Sequence, residues 1–207
     1  MEKRLLLIFG IFYLFACNST RGVYMSEDAK SVVLLHKKIA ILPPQTLLTS
    51  REYLSPYQLT NEQFAISQRV AQNLYSTLLK RKSKGYIVAE ILDQATTNAI
   101  LQQYQYPQNP MTPKELADAL QVDALISAEL LVNRPMTNFH IAVMDSVGRR
   151  KAIMEEGNLS MTLYDKTYDK SIWTYTGSYR SGINDAPNQQ ISAMLYHACK
   201  KMPYGVK

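Results

Sequence analysis

The chain has 207 residues, 46% of them hydrophobic, two cysteines and a formal net charge of +6. That length suits one domain, or one domain with a tether. The mild basicity comes without a long basic run, which argues against nucleic acid and fits anionic lipid or cell-wall surfaces.

The start of the chain reads as an export signal. Met1-Glu2-Lys3-Arg4 is short and net basic, Leu5 to Phe15 is almost unbroken apolar sequence, and small Ala16 precedes Cys17, after which the chain turns polar. This is the basic, apolar and small-residue layout of a cleavable secretory signal. The apolar stretch is shorter than the roughly 20 residues a spanning helix needs. Leu14-Phe15-Ala16-Cys17 resembles the bacterial lipobox, with Phe15 bulkier than the usual small residue. The resemblance implies diacylation of the Cys17 sulfur, cleavage before Cys17 and acylation of its new amine. Several acyl chains on one residue anchor a protein where one does not. Asn18 in place of Asp removes the known inner-membrane retention signal and points to the outer membrane, periplasm-facing. The expected division is a signal peptide over 1–16, a flexible tether over 17–31 and one α/β domain over 32–207. With Cys17 lipidated, only Cys199 remains, so no intramolecular disulfide supports the core.

Val32 to Leu35 is a lead-in or short edge strand. Lys38 to Leu42 is a buried strand, apolar and β-branched, ended by Pro43-Pro44. A loop is expected from Gln45 to Leu59. The next helix starts at Thr60, with Gln63 completing a capping box. It carries Phe64, Ser67, Ala71, Leu74 and Leu78 on one side, flanked by Val70 and Tyr75. Lys80, Arg81, Lys82 and Lys84 fill its last turn and Gly85 stops it, as positive charge and a C-terminal glycine do for helices generally.

Tyr86 to Ala89 is a second strand, and Asp93 caps a helix running to about Tyr104. Thr112-Pro113-Lys114-Glu115 is a start signal for a short helix with Leu116, Ala117 and Leu120 inward. Asp123 to Val132 is a long apolar strand. Asn158 to Asp165 and Ser171 to Tyr179 alternate and are joined through Lys166-Thr167-Tyr168, giving a hairpin. Asp185 and Pro187 open the last helix, with Ile191, Met194, Leu195, Ala198 and Met202 on one face. Strands alternating with helices predict an α/β fold. Its sheet is mixed and partly parallel, carries a C-terminal β-hairpin and is flanked by helices.

Catalytic and metal signals are weak. His36, His140 and His197 lie far apart, and no nucleophile elbow or glycine-rich phosphate loop is present. Adjacent Glu155 and Glu156 point to opposite sides of a strand. No cofactor, metal or catalytic residue is expected. Cys199, beside the apolar stripe of the last helix, reads as buried rather than reactive. Tyr53, Tyr57, Tyr104 and Tyr106 fall in or near loops, where they suit either an interface or partial burial.

Three segments together resemble one group of envelope proteins. Lys38-Ile39-Ala40-Ile41-Leu42-Pro43 is similar to its first strand, Leu116 to Glu129 to its helix-strand segment, and Leu163-Tyr164-Asp165 with Ile172 to Gly177 to its hairpin. The group includes the curli-secretion lipoprotein, the penicillin-binding-protein activator lipoproteins, the TolB amino-terminal domain and several small uncharacterised lipoproteins. The turn glycine of the group is replaced near Thr167-Tyr168, and another of its glycines is Ala128 here. The resemblance implies an α/β domain that binds proteins or glycans in the envelope without catalysis.

Three functions follow as expectations. The first is a lipid-anchored assembly factor or accessory subunit with an envelope-protein or peptidoglycan partner. The second is a secretion-pore subunit, and the third an enzyme. For a pore, Asn133 to Gly157 is the candidate insertion: Phe139, Ile141 and Val143 alternate before Gly148-Arg149-Arg150. The alternation is short for a barrel strand, so a soluble hairpin or partner-binding loop is expected there. The partner-binding residues cannot be named from sequence.

Overall fold

The computed structural model describes residues 22–149, 152–183 and 185–205. Seven strands form one mixed sheet flanked by six helices. The strands are β1 (Gly22–Met25), β2 (Lys38–Ile41), β3 (Gln45–Ser50), β4 (Glu90–Ile91), β5 (Ala124–Arg134), β6 (Ile153–Asp165) and β7 (Lys170–Gly182). The helices are α1 (Ala29–Val32), α2 (Pro56–Ser83), α3 (Gln94–Gln103), α4 (Pro113–Ala119), α5 (Asn138–Ser146) and α6 (Pro187–Lys201). The order across the sheet is β1-β7-β6-β5-β2-β4, with β3 also beside β5. The pairs β2–β4, β2–β5 and β3–β5 are parallel; β5–β6, β6–β7 and β7–β1 are antiparallel. The expected α/β class, with its partly parallel sheet and C-terminal hairpin, is the one observed.

Several local expectations need correction. Gln45 to Ser50 is strand, not loop. Pro43 and Pro44 interrupt the strand begun at Lys38 without ending it, because a proline without an N–H is tolerated at an edge or bulge. Ile41 pairs with Ile126 and Gln45 with Glu129, so one extra residue is absorbed at the prolines and pairing with β5 resumes. The following helix starts at Ser55, not Thr60. Ser55 accepts from the Gln58 N–H and the Gln58 side chain accepts from the Ser55 N–H, with Pro56 at the first position. Two capping boxes compete in this segment, and the proline, whose φ is already helical, favours the earlier one. The buried stripe of α2 is Ile66, Val70, Leu74 and Leu78, while Phe64 is exposed. Gly85, at φ +75°, ends it: the Tyr86 N–H reaches the Arg81 carbonyl and the Gly85 N–H the Lys82 carbonyl.

Val32 to Leu35 is the end of α1 and a turn, with Leu34 and Leu35 exposed, rather than a strand. In the expected strand Tyr86 to Ala89 only Ile87 and Ala89 turn inward, and ladder pairing is confined to Glu90 and Ile91. The stretch expected to be tether up to residue 31 already contributes β1 and part of α1. Gly22 to Met25 pair with Thr176 to Trp173, because the edge of β7 away from β6 is otherwise free along its apolar core. The hairpin strands each run 13 residues. Their turn puts Asp169 at φ +51°, a left-handed position that Asp tolerates.

Two cores result. The larger lies between one sheet face and α2 and α6; the smaller, built from Ala40, Leu92, Leu101, Leu116, Leu120 and Leu125, lies under α3 and α4 on the other face. Trp173 is 0% exposed in the larger core and stacks on Tyr175 at 6.3 Å. Laterally it sits between Met25 of β1 and Leu163 of β6. A register shift between Leu163 and Tyr164 leaves Ile172 without a partner in β6 and buries it beside Trp173, so the alternation expected over Ser171 to Tyr179 breaks there.

Trp173→Ala is expected to cost about 3–5 kcal/mol, a large part of a domain's stability. Urea unfolding reads this directly, and wild-type emission is expected to be blue-shifted and protected from iodide. A red-shifted emission with unchanged stability contradicts the burial.

Candidate functional site

The asymmetry of the two cores leaves a large surface bare. Where α3 and α4 end, the second face of β3, β5, β6 and β7 is uncovered. Register sets its rows: Gln45, Glu129, Ser160 and Thr176 lie side by side, then Leu47, Leu131, Asn158 and Ser178, then Thr49, Asn133, Glu156 and Arg180. The β5, β6 and β7 members of these rows line a shallow trough of about 900 Å³, with β3 alongside it. Its floor is hydroxyl and amide with one apolar ridge, in which Leu131 is 50% exposed beside exposed Leu47. Charge sits at the rim, where the Asn133 amide and the Arg180 guanidinium both meet the Glu156 carboxylate. Glu129 adds an exposed carboxylate at the other end of the trough, in the row of Ser160 and Thr176. The geometry of the trough suits a polar contact surface with a small apolar centre.

A second feature lies above the first core, between α2, α5 and the start of α6. Arg134, at the end of β5, bonds Glu62 of α2 and, through Nε at 3.0 Å, the buried Glu155. The Tyr179 hydroxyl donates to the other Glu155 oxygen at 2.7 Å. Burial opposes the Arg134 charge, but the two carboxylates outweigh it and raise its pKa. Burial, then the bond to Glu155, pushes the Tyr179 phenol up. These groups border a cleft of about 340 Å³ that also receives Arg69, Met136, Ile141 and Asn188. Each charged group in the network is held by another, which is the condition for burying charge. Glu155 and Glu156 do point to opposite sides of β6, as the sequence required.

A third cluster is sealed. His36 Nε2 lies 2.8 Å from an Asp165 oxygen and its Nδ1 lies 2.6 Å from the Tyr204 hydroxyl. With Nε2–H donating to the carboxylate, Nδ1 accepts from the phenol; the Tyr168 N–H donates to the second Asp165 oxygen. Burial, then Asp165, raises the Tyr204 pKa. All three residues are buried, so the arrangement resembles a relay but admits no substrate. It closes the C-terminal segment onto the hairpin.

The other sequence candidates are scattered. His140 caps nothing beyond its own turn with Thr137, and His197 sits on α6 beside Tyr196. Tyr53, Tyr57 and Tyr104 are exposed, while Tyr106 packs against the smaller core. Cys199 is fully buried and burial pushes its thiol up to about 12. The expected hairpin or loop of Asn133 to Gly157 is instead the end of β5, helix α5 and the start of β6; Phe139, Ile141 and Val143 lie on a helix, where two-residue alternation means nothing. Thr137 accepts from the His140 N–H and caps it, a signal present in the sequence but overlooked. The expected lipidation residue, Cys17, lies outside the described residues.

No family model and no curated protein matches the chain. Similar solved structures include the PelC dodecamer from Paraburkholderia phytofirmans, 9% identical, covering 91% of this chain and 99% of that one at a TM-score of 0.44. They include lipoprotein GNA1162 from Neisseria meningitidis, at 14% identity, 80% and 99% coverage and a TM-score of 0.45. The LpoB C-terminal domain from Salmonella enterica is a third, at 10%, 70% and 83%, with a TM-score of 0.34. Bacterial lipoproteins thus stand among the proteins of similar fold.

Tyr204→Phe is expected to leave a buried His36 nitrogen without its partner and to cost about 1–3 kcal/mol in urea unfolding. Cys199 is expected to resist a disulfide reagent at pH 8 in the folded protein and to react once unfolded. Because its folded pKa is raised from 9.0 to about 12, its contribution to stability is complete below pH 9 and is lost as the pH rises toward 12.

Proposed function

We propose that the chain is an exported lipoprotein, anchored through lipid on Cys17 to the periplasmic side of the outer membrane. It serves there as an assembly factor or accessory subunit that binds an envelope protein or peptidoglycan. The observation that carries the reading is the junction between signal and fold. The lipobox-like tetrapeptide ends at Cys17, and paired strand begins at Gly22, five residues later. Cleavage before Cys17 leaves every described strand in the mature chain.

A binding role is favoured over catalysis by how the ionisable groups are arranged. Among the described residues, buried His36 and Asp165 bond each other and Tyr204 bonds His36, while buried Glu155 bonds Arg134 and Tyr179. The broad exposed surface is mainly hydroxyl, amide and leucine, with Glu129, Glu156 and Arg180 toward its ends. For the partner we assign the open face of β3, β5, β6 and β7, with Leu131 at its centre. A fixed face on a rigid sheet needs no rearrangement to bind, which lowers the cost of association.

Fatty-acid labelling tests the anchor: incorporation is expected in the wild type and none in Cys17→Ala, and equal labelling of both refutes it. Leu131→Arg tests the face. The exposed side chain contributes little to folding, so melting is expected to be unchanged. Recovery of the crosslinked partner from membranes is expected to fall at least about tenfold, the effect of losing one central contact. Undiminished recovery moves the partner site elsewhere.

A further inference from the structure

The cleft beside Arg134 joins an apolar lining to charges of both signs. Ile66 of α2 and Ile191 of α6, both buried, line it together with Leu54, Met136, Ile141 and Met154, all half-buried. One of its walls is α5, a helix with no buried residue. Helices in proteins hold mainly by packing an apolar face, and the side of α5 that carries Asn138 and Ile141 lines the cleft instead of core. Half-buried aliphatic side chains around a cavity of about 340 Å³ are apolar surface that a ligand of small-molecule size can take out of water.

The charged groups of the cleft, Glu52, Glu62, Glu155, Arg69 and Arg134, are unequally paired. Arg134 holds both Glu62 and Glu155. Arg69 has no carboxylate partner among the described residues. Its Nη1 donates to the Asn188 side-chain oxygen at 2.8 Å and its Nε to the Ala65 carbonyl at 3.3 Å, which leaves one Nη1 proton and both Nη2 protons. Glu52 accepts from the Asn138 N–H at 2.9 Å through one oxygen, and its other oxygen has no partner among the described residues. Arg69 and Asn188 belong to α2 and α6, whereas Glu52 and Asn138 belong to the β3–α2 link and to α5. The cleft thus offers a guanidinium from one side and a carboxylate oxygen from the other, over an apolar lining. We propose that it binds a zwitterion: an apolar amino acid or dipeptide with both ends free, its carboxylate on Arg69, its ammonium on Glu52 and its side chain against Ile66, Ile141 and Ile191. A guanidinium fork suits a carboxylate, and an ammonium is compact enough for a single carboxylate oxygen. A simple carboxylic acid leaves Glu52 facing its apolar part, and a simple amine leaves Arg69 unmatched; an enclosed charge without a partner is what such a site rejects. The apolar part of the ligand covers the half-buried side of α5 and supplies the packing that the helix lacks. This site is separate from the open sheet face and depends neither on that face nor on the lipid anchor.

Isoleucine methyl spectra of the isotope-labelled protein, followed during titration with three compounds, test it. The compounds are leucyl-leucine, N-acetyl-leucyl-leucine, which lacks the ammonium, and leucyl-leucinamide, which lacks the carboxylate. Leucyl-leucine is expected to move the methyls of Ile66, Ile141 and Ile191 and to leave those of Ile39 and Ile87, at the far end of the larger core, in place. Loss of either ligand charge is expected to weaken binding at least about tenfold, the effect of one charge-assisted hydrogen bond. Arg69→Gln and Glu52→Gln are each expected to weaken leucyl-leucine by the same factor with melting unchanged, and Glu52→Gln to leave the affinity for the N-acetyl compound as it was. Amide exchange in α5 is expected to slow several-fold in the complex. Still methyls at millimolar leucyl-leucine overturn the proposal. So does equal or tighter binding of the acetylated or amidated compound, a comparison made on the wild-type protein and therefore independent of how any variant folds. Undiminished affinity of the Arg69→Gln or the Glu52→Gln protein for leucyl-leucine overturns it as well.

Discussion

A seven-stranded sheet has two faces, and this chain has long helices for only one of them. Helix α2 extends about 42 Å at the usual rise and with α6 covers one face from end to end, while α3 and α4 cover only the corner made by β2, β4 and the start of β5. Everything else about the molecule follows from that shortage. The strands under α2 and α6 are filled with Leu159, Met161, Leu163, Trp173 and Tyr175, and the same strands on the reverse side carry Asn158, Ser160, Thr162, Thr174 and Thr176. Alternation in β6 and β7 is thus the imprint of a sheet covered on one side. Where β5 passes under α4 it is apolar on both sides, and where it leaves that cover Glu129 and Leu131 face outward.

What was legible in the sequence was whatever a short window decides. The Thr112–Glu115 box, the Asp93 cap, the strand at Lys38 and the stripe of α6 each depend on residues within one or two turns of one another, and each lies where it was expected. The misses share a different cause. Strand β3 exists because β5 is long enough to pair past a proline break, which is a fact about a partner more than 80 residues away in sequence. Strand β1 exists because β7 has a free edge. At Ser55 two valid local signals competed and the proline decided. At α5 a two-residue alternation and a four-residue stripe coincide over Phe139, Ile141 and Val143, and only the Thr137 cap separates them. Of the candidate sites, the burial of Cys199 was legible because a helix face is periodic. The open sheet face was not, because nothing local tells a strand which helices will fail to reach it.

The buried polar groups divide the same way. Both networks sit at the ends of the sheet, where strands run out and backbone and side-chain groups lose their sheet partners. At one end Glu155 and Tyr179 tie β6 to β7, and Arg134 carries the bond on to α2 through Glu62. At the other, His36 joins the turn after α1, the close of β6 and the C-terminal segment, and Arg81 of α2 adds a bond to the Tyr204 carbonyl. Gly157 belongs with the first: a Cβ there meets the Tyr179 ring at 2.4 Å, so the absence of a side chain is what lets the phenol lie across the strand and reach Glu155. Breaking any one member strands a buried charge or phenol, so these residues hold their positions by mutual dependence rather than by strength of any single bond.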